Sequence, residues 1–248
     1  MYELPDRGIR YQDSGAELSG QGLPVVFLHA GSGSTLMWEH QLPAFTAIGY
    51  RFIAYDRPAD GVPVDDLDAL AEYIGLERFH LVGTAAGGIV AVDYALSYPQ
   101  RLRSLVVANS IVGVQDEDYV AMSRRLRPLP EFNALPAEVR ELGPSYRAAN
   151  PEGTKRWSEL AQHVASLPTR NKITFAALET IKTPTLLLTG DADMYMPPPQ
   201  MRLYASKLPG CETAVIAEAG HSAFWEQPEA FNRLVLNFVG RNRAVQRA

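Results

Sequence analysis

The stretch Phe79-His80-Leu81-Val82-Gly83-Thr84-Ala85-Ala86-Gly87-Gly88 decides how the chain folds. Phe79–Val82 is a short apolar strand, and Ala86–Tyr98 has a helical pattern, so the glycines between them occupy a tight strand–turn–helix junction. Small residues two before and two after one central position mark a nucleophile elbow, usually written Gly-x-Ser-x-Gly. The demand is steric: the central residue sits on strained backbone, and its neighbours must be tiny where strand and helix approach. Gly83 and Gly87 meet that demand around Ala85. A glycine-rich turn at a helix N-terminus can also cradle a phosphate. Here the G-x-G-x-x-G order and the P-loop lysine are both absent.

On either side of this junction, short β-rich runs alternate with helical patterns. The strands are expected at Gly8–Gln12, Val25–His29, Arg51–Tyr55, Phe79–Val82, Leu102–Ala108, Thr185–Thr189 and Thr213–Ala217. Helices are expected at Thr35–Ile48, Val64–Ile74, Ala86–Tyr98, Pro198–Leu208 and Pro228–Val239. Pro99 ends the third of these, because proline disfavours helical geometry in the residue before it. The alternation predicts an α/β fold with a mostly parallel, doubly wound sheet, and the nearly pure apolar strands predict helices on both faces. Between Ile111 and Lys182 the strand signals stop. Amphipathic helical stretches follow one another there, at Asp116–Leu126, Pro136–Ala148 and Glu152–Leu167. The expected organisation is a core of residues 1–110 and 183–248 with a helical lid (cap) at 111–182, able to exclude water from a site.

Two further motifs fall at the C-terminal ends of strands, where open α/β sheets build their sites. Thr185–Thr189 runs into Gly190-Asp191-Ala192-Asp193, and the last strand leads to Ala219-Gly220-His221 and then Glu226-Gln227-Pro228. Alone, His221 reads as a surface histidine and either aspartate as a turn residue. Together they offer an acid and a base.

The motifs LHAGSG (28–33), DRPADG (56–61), LVGTAAGG (81–88), LLLTGDAD (186–193) and AGHSAFWEQP (219–228) extend the likeness over the whole chain. The chain resembles the α/β-hydrolase superfamily, most closely the lidded branch that contains enol-lactonases, esterases, haloalkane dehalogenases and carbon–carbon bond hydrolases. The resemblance implies Asp193, rather than Asp191, as the catalytic acid and His221 as the base. It also implies an oxyanion hole built from the backbone N–H groups of Gly31 and Ala86, with His29 bracing that loop. The activity implied is hydrolysis of an ester, a lactone or a carbon–carbon bond in a small carbonyl compound.

Two departures stand out. Ala85 occupies the nucleophile position, so no acyl-enzyme can form there, and the DRPADGVPVDD segment is shorter than the glycine-rich loop usual in the family. Three origins fit the alanine. It is what a bench substitution of serine would leave, it suits an enzyme in which an Asp–His dyad moves protons without a covalent step, and it suits a non-catalytic small-ligand-binding homologue. Cofactor-independent oxygenases and lyases of this superfamily resemble the second case. Thr84 and Ser32 are the nearest alternative nucleophiles.

Bulk properties bound the partners. A net charge of -5 speaks against nucleic acid. No apolar run approaches the roughly 18 residues that span a bilayer, and the N-terminal residues show no secretory pattern. The single cysteine, Cys211, reads as structural and suits a reducing, cytoplasmic setting. The five histidines show no zinc-ligand spacing, and neither a metal nor any other cofactor is expected. The expected partner is a small-molecule substrate, with homodimerisation left open. Trp38, Tyr146, Trp157, Met194 and Phe224 are candidate pocket walls for a compact apolar or aromatic substrate. Arg57, Arg124, Arg125 and Arg147 read as solvated charges, with a grip on a substrate carboxylate as the alternative.

Overall fold

In a computed structural model, the structure describes residues 1–5, 7–16, 23–125, 132–161 and 167–243. The strands are β1 (Tyr2–Leu4), β2 (Ile9–Asp13), β3 (Pro24–Leu28), β4 (Arg51–Tyr55), β5 (Phe79–Thr84), β6 (Leu102–Ala108), β7 (Thr185–Gly190) and β8 (Glu212–Ile216). They form one eight-stranded sheet in the order β1-β2-β4-β3-β5-β6-β7-β8. The first two pairings are antiparallel and the remainder parallel. From β3 the chain steps outward to β4, then returns to place β5 on the other side of β3. The crevice at the C-terminal ends of β3 and β5 is therefore the topological switch point, where folds of this class bind ligands.

The helices are α1 (Gln41–Thr46), α2 (Pro63–Tyr73), α3 (Ala86–Ser97), α4 (Glu117–Arg125), α5 (Ala137–Glu141), α6 (Pro144–Ala149), α7 (Pro151–Leu160), α8 (Phe175–Leu178), α9 (Pro198–Ala205), α10 (Ala223–Glu226) and α11 (Pro228–Arg241). Side chains alternate across the central strands, so each face has its own core. Val26, Leu28, Leu81, Leu105 and Leu187 join residues of α2, α3 and α9 on one face. Val25, Phe27, Val82, Val106 and Leu188 join α11, Trp38 and Trp157 on the other. Among the described residues, no helix is long and apolar enough to cross a membrane.

Several expected elements are corrected by prolines. The single helix expected over Thr35–Ile48 is a 3-10 turn at Thr35–Trp38 followed by α1. Pro43 lacks a backbone N–H and is tolerated only in a first helical turn, so the α-helix begins just before it. The helix expected over Pro136–Ala148 is split into α5 and α6. Gly143, held extended at ψ 148 before Pro144, separates them. The helix expected to begin at Glu152 starts one residue earlier with Pro151 at its first position. Asn150 caps it, accepting from the Gly153 N–H at 2.9 Å. It ends at Leu160, and the remainder expected to Leu167 includes residues 162–166, outside the described set. The end of the stretch expected to Leu126 also lies outside it. Strand β1 and the four-residue helices α8 and α10 were not anticipated.

Candidate active site

The elbow follows from the backbone. Ala85 adopts φ 49 and ψ -117, a conformation L-residues rarely take. Its N–H donates to Ala108 O at 3.0 Å, and its carbonyl accepts from Ser110 Oγ at 2.6 Å and the Gly88 N–H at 3.0 Å. The end of β6 thus holds the turn in place. A Cβ on Gly83 would run into the Gly87 carbonyl, and one on Gly87 into the carbonyls of Leu28 and His29. Only glycine allows β3, β5 and α3 to approach this closely. Thr84, the neighbouring hydroxyl, is fully buried in β5.

The loop after β3 lies against the elbow, and a Cβ built on Gly31 would sit 3.5 Å from that of Ala86. His29 braces this loop: its Nε2 accepts from the Arg57 N–H at 3.0 Å while its Nδ1 lies 2.6 Å from Ala30 O. The first bond makes Nε2 the acceptor and leaves the proton on Nδ1. Arg57 corrects the expectation of a solvated charge. It is buried, and its guanidinium donates at 3.0 Å to the carbonyls of both His29 and Ala30. Those carbonyls lie beyond the last paired residue of β3 and need a donor. Arg125 is exposed, Arg147 donates to Leu142 O at 3.2 Å, and the side chain of Arg124 lies outside the described set.

His221 and Asp193 meet beyond the C-terminal ends of β7 and β8, on the same edge of the sheet as the elbow. His221 Nδ1 is 2.9 Å from both Asp193 carboxylate oxygens. Asp191 instead accepts from the Ala219 N–H at 3.2 Å. The Asp193 carboxylate also accepts from Asn109 Nδ2 (3.0 Å) and from the N–H groups of Tyr195 (2.8 Å) and Met196 (2.9 Å). Asn109, at φ 48, bonds the Gly220 carbonyl as well, at 3.0 Å, and so ties the acid loop to the histidine loop. Burial pushes the Asp193 carboxyl up, but His221, Asn109 and the Met196 amide outweigh it and hold it below its usual range. Burial alone would lower the His221 imidazole; the carboxylates of Asp193 and Glu141 outweigh it and raise it to about 9.

Glu141, at the end of α5, was not anticipated from the sequence. Its Oε2 lies 3.9 Å from His221 Nε2, on the ring edge opposite Asp193. Burial raises its carboxyl above the usual range, against the lowering effects of His221, Arg140 and a hydrogen bond from Tyr195. The Tyr195 ring lies over His221, with centroids 4.4 Å apart, and its hydroxyl accepts from Arg140 at 2.9 Å. Nothing in PAEVRELGPS marks this glutamate, since its place depends on how the α5–α6 segment docks. Glu226 fixes that docking by accepting from the N–H groups of Gly143 (2.6 Å), Gly220 (2.9 Å) and Ser222 (3.2 Å).

A cavity of about 580 Å³ opens beside Asp193, between the acid loop, α4 and α9, with Met194, Tyr119, Met122 and Leu203 on its walls. Tyr146 lines a separate cavity of about 410 Å³ with His40 and Trp225. Trp38, Trp157 and Phe224 line neither; they are buried in one apolar cluster. Cys211 is half-buried, and burial pushes its thiol up to about 12.

Comparison with known proteins agrees with this arrangement. The sequence model described as "Alpha/beta hydrolase family" matches residues 25–234. A 2-hydroxy-6-oxononadienedioate/2-hydroxy-6-oxononatrienedioate hydrolase of Comamonas testosteroni is 26% identical, over 89% of each chain. A thermophilic esterase from Thermogutta terrifontis superposes with a TM-score of 0.79, 24% identity and coverage of 98% of this chain and 97% of that one. The enol-lactonase from Burkholderia xenovorans LB400 superposes with a TM-score of 0.75 and 19% identity, over 94% of this chain and 96% of that one. With its elbow at the switch point, its acid and histidine after β7 and β8, and this match over most of its length, the chain belongs to the alpha/beta hydrolase family.

Proposed function

We propose that this protein is an enzyme that acts on a small carbonyl-containing substrate, and that the Asp193–His221 dyad moves protons there without a covalent intermediate. The observation that carries this is the buried bond between His221 Nδ1 and Asp193, kept at 2.9 Å beside an elbow that offers only the methyl group of Ala85. Such a buried, oriented imidazole–carboxylate pair is costly to desolvate, and ligand binding alone does not require it. The backbone N–H groups of Gly31 and Ala86 would receive the oxyanion as it develops. Segment 111–182 would act as the lid over a core of residues 1–110 and 183–248, pinned at Gly143 by Glu226. The Comamonas relative's substrate name contains an oxo group and the Burkholderia neighbour is an enol-lactonase, so ketones, lactones and esters are the first compounds to try. A single cysteine suits a reducing compartment, and we place the enzyme in the cytoplasm.

The test is turnover of a panel of p-nitrophenyl esters, γ- and δ-lactones and β-diketones. Turnover by the unaltered protein should fall roughly 10²–10⁴-fold in His221→Ala, and a fluorophosphonate should leave the unaltered protein unlabelled. Turnover that survives His221→Ala would refute the dyad. Tight binding of a small ligand with no turnover at all would make the chain a binding protein. Should Ala85→Ser alone turn over the panel and take the fluorophosphonate label, the scaffold would instead be a serine hydrolase lacking its serine.

A further inference from the structure

Glu141 is an unusual place for a carboxylate. It lies on a short helix outside the sheet, yet its side chain is only 18% exposed and faces the one imidazole nitrogen that Asp193 does not hold. Its position is set by a chain of contacts: Arg140 donates to the Tyr195 hydroxyl at 2.9 Å, Tyr195 bonds Glu141, and the Ser222 N–H donates to the Glu141 carbonyl at 2.9 Å. The loops after β7 and β8 therefore hold the end of α5, and with it the Glu141 carboxylate, beside His221. The gap of 3.9 Å between Glu141 Oε2 and His221 Nε2 is too long for a direct hydrogen bond. It suits one water molecule that bonds both atoms at about 2.8 Å. In a serine enzyme of this fold the hydroxyl would be the partner of that nitrogen, and Ala85 supplies none.

Building on the dyad function proposed above, we propose that Glu141 is a further catalytic residue, the general base that activates water for attack, with His221 as the general acid. Water oxygen bonds to the substrate carbonyl carbon while its proton passes to Glu141 Oε2, and the carbonyl electron pair moves onto oxygen. When that pair returns, the bond to the leaving alkoxide or enolate breaks, and His221 Nε2 gives its proton to the departing atom. The proton on Glu141 then returns to His221 through a second water, which restores both groups. One water is consumed, and nothing is oxidised or reduced. The charge environment fits this division of labour. Glu141 faces His221, Asp193, Arg140 and Tyr195, and His221 faces Asp193, Glu141, Glu226 and the Tyr195 ring. Two carboxylates hold the imidazole protonated at neutral pH, so it is poised to give a proton rather than to take one.

The experiment compares Glu141→Gln, Glu141→Asp and His221→Ala on the p-nitrophenyl ester and lactone panel, with ¹⁵N-histidine NMR of each folded variant. Glu141→Gln should lower kcat about 100-fold with KM within a few-fold, and should remove the acid limb of the pH–rate profile. Glu141→Asp should recover part of kcat and keep that limb. In the NMR titration, the His221 pKa should fall by at least about one unit in Glu141→Gln. If Glu141→Gln does not fold, Glu141→Asp decides, because a full kcat with an unshifted acid limb would overturn the proposal. If Glu141→Gln keeps kcat within twofold while His221→Ala abolishes it, Glu141 has no catalytic part and the dyad stands. If both variants turn over freely, or the unaltered protein turns over nothing in the panel, both proposals fall.

Discussion

His221 Nδ1 is equidistant, at 2.9 Å, from the two carboxylate oxygens of Asp193. The Nδ1 proton therefore points at the carboxylate, and Nε2 is left facing Glu141 Oε2 at 3.9 Å. Asp193→Asn would replace one acceptor with an N–H₂ group in a nest of donors from Asn109, Tyr195 and Met196. The imidazole would lose its orientation and its counter-charge together. Turnover should fall roughly 10²–10⁴-fold, as steady-state kinetics on any compound the unaltered protein accepts would show. Retention of more than half the activity would rule out the dyad.

The same pair sets a pH dependence whose sign is fixed. The His221 pKa is raised from 6.5 to about 9 in the folded state. Its protonated form therefore stabilises the fold fully below 6.5, and this contribution is lost as pH rises through about 9. Asp193, held below its usual range, works in the other direction, contributing above the ordinary aspartate range and losing that contribution as pH falls through its lowered value. In urea titrations between pH 6 and pH 10, the gap in stability between the unaltered protein and His221→Gln should therefore narrow as pH rises. A constant gap would mean that folding leaves the His221 pKa unshifted.

At the elbow, strain and function separate cleanly. Ala85 holds φ 49 and ψ -117, where a Cβ is costly by about 1–3 kcal/mol. Glycine relieves that strain but adds about 0.4–1 kcal/mol of unfolded-state entropy. Ala85→Gly should therefore stabilise the protein by about 1 kcal/mol, readable as a raised urea midpoint with an unchanged slope. Gly87→Ala should do the reverse, because its Cβ would meet the Leu28 and His29 carbonyls. Main chain cannot yield as a side chain can, and a loss of about 3 kcal/mol is expected. Equal stability of all three proteins would mean that the turn is relaxed.

The sheet and the elbow were legible because their signals are local. Gly83 and Gly87 are spaced by the contact they must permit, and β5 and β6 are apolar because helices cover both faces. His221 and Asp193 could be paired because each follows a strand at the same edge of the sheet. The segment between β6 and β7 was legible only as helix. Its breaks at Gly143 and around Pro151 were written in proline and asparagine, yet amphipathic periodicity ran straight across the first of them. Where α5 docks depends on Glu226, far along the chain, so Glu141 looked like any helix-surface glutamate. Arg57 was misread for a related reason: a charge that turns inward to satisfy two carbonyls has the same sequence appearance as one in water. The aromatic candidates Trp38, Trp157 and Phe224 were ambiguous because core and pocket walls draw on the same residues.

Glu226 gives the last test, because it joins three segments with one carboxylate. Its Oε2 accepts from the Gly143 N–H at 2.6 Å, and its Oε1 from Gly220 at 2.9 Å and Ser222 at 3.2 Å. Burial raises its carboxyl to about 7 despite these three donors. A raised carboxyl contributes most below its unfolded pKa of 4.5, and that contribution is lost as pH rises through about 7. Glu226→Gln abolishes the titration but turns one acceptor into an N–H₂ that faces another N–H. A buried donor left without a partner costs about 1–3 kcal/mol, so the variant should unfold at lower urea. Gly143 lies two residues after Glu141, and it cannot simply shift, since even a Cβ there would stand 2.9 Å from Glu226 Oε2 and 3.0 Å from Gly220 N. Loosening it should move Glu141 away from His221 and lower kcat together with stability, whereas a distant destabilising substitution of equal size should leave kcat alone. If Glu226→Gln loses stability but keeps kcat, the clamp holds the fold and not the site.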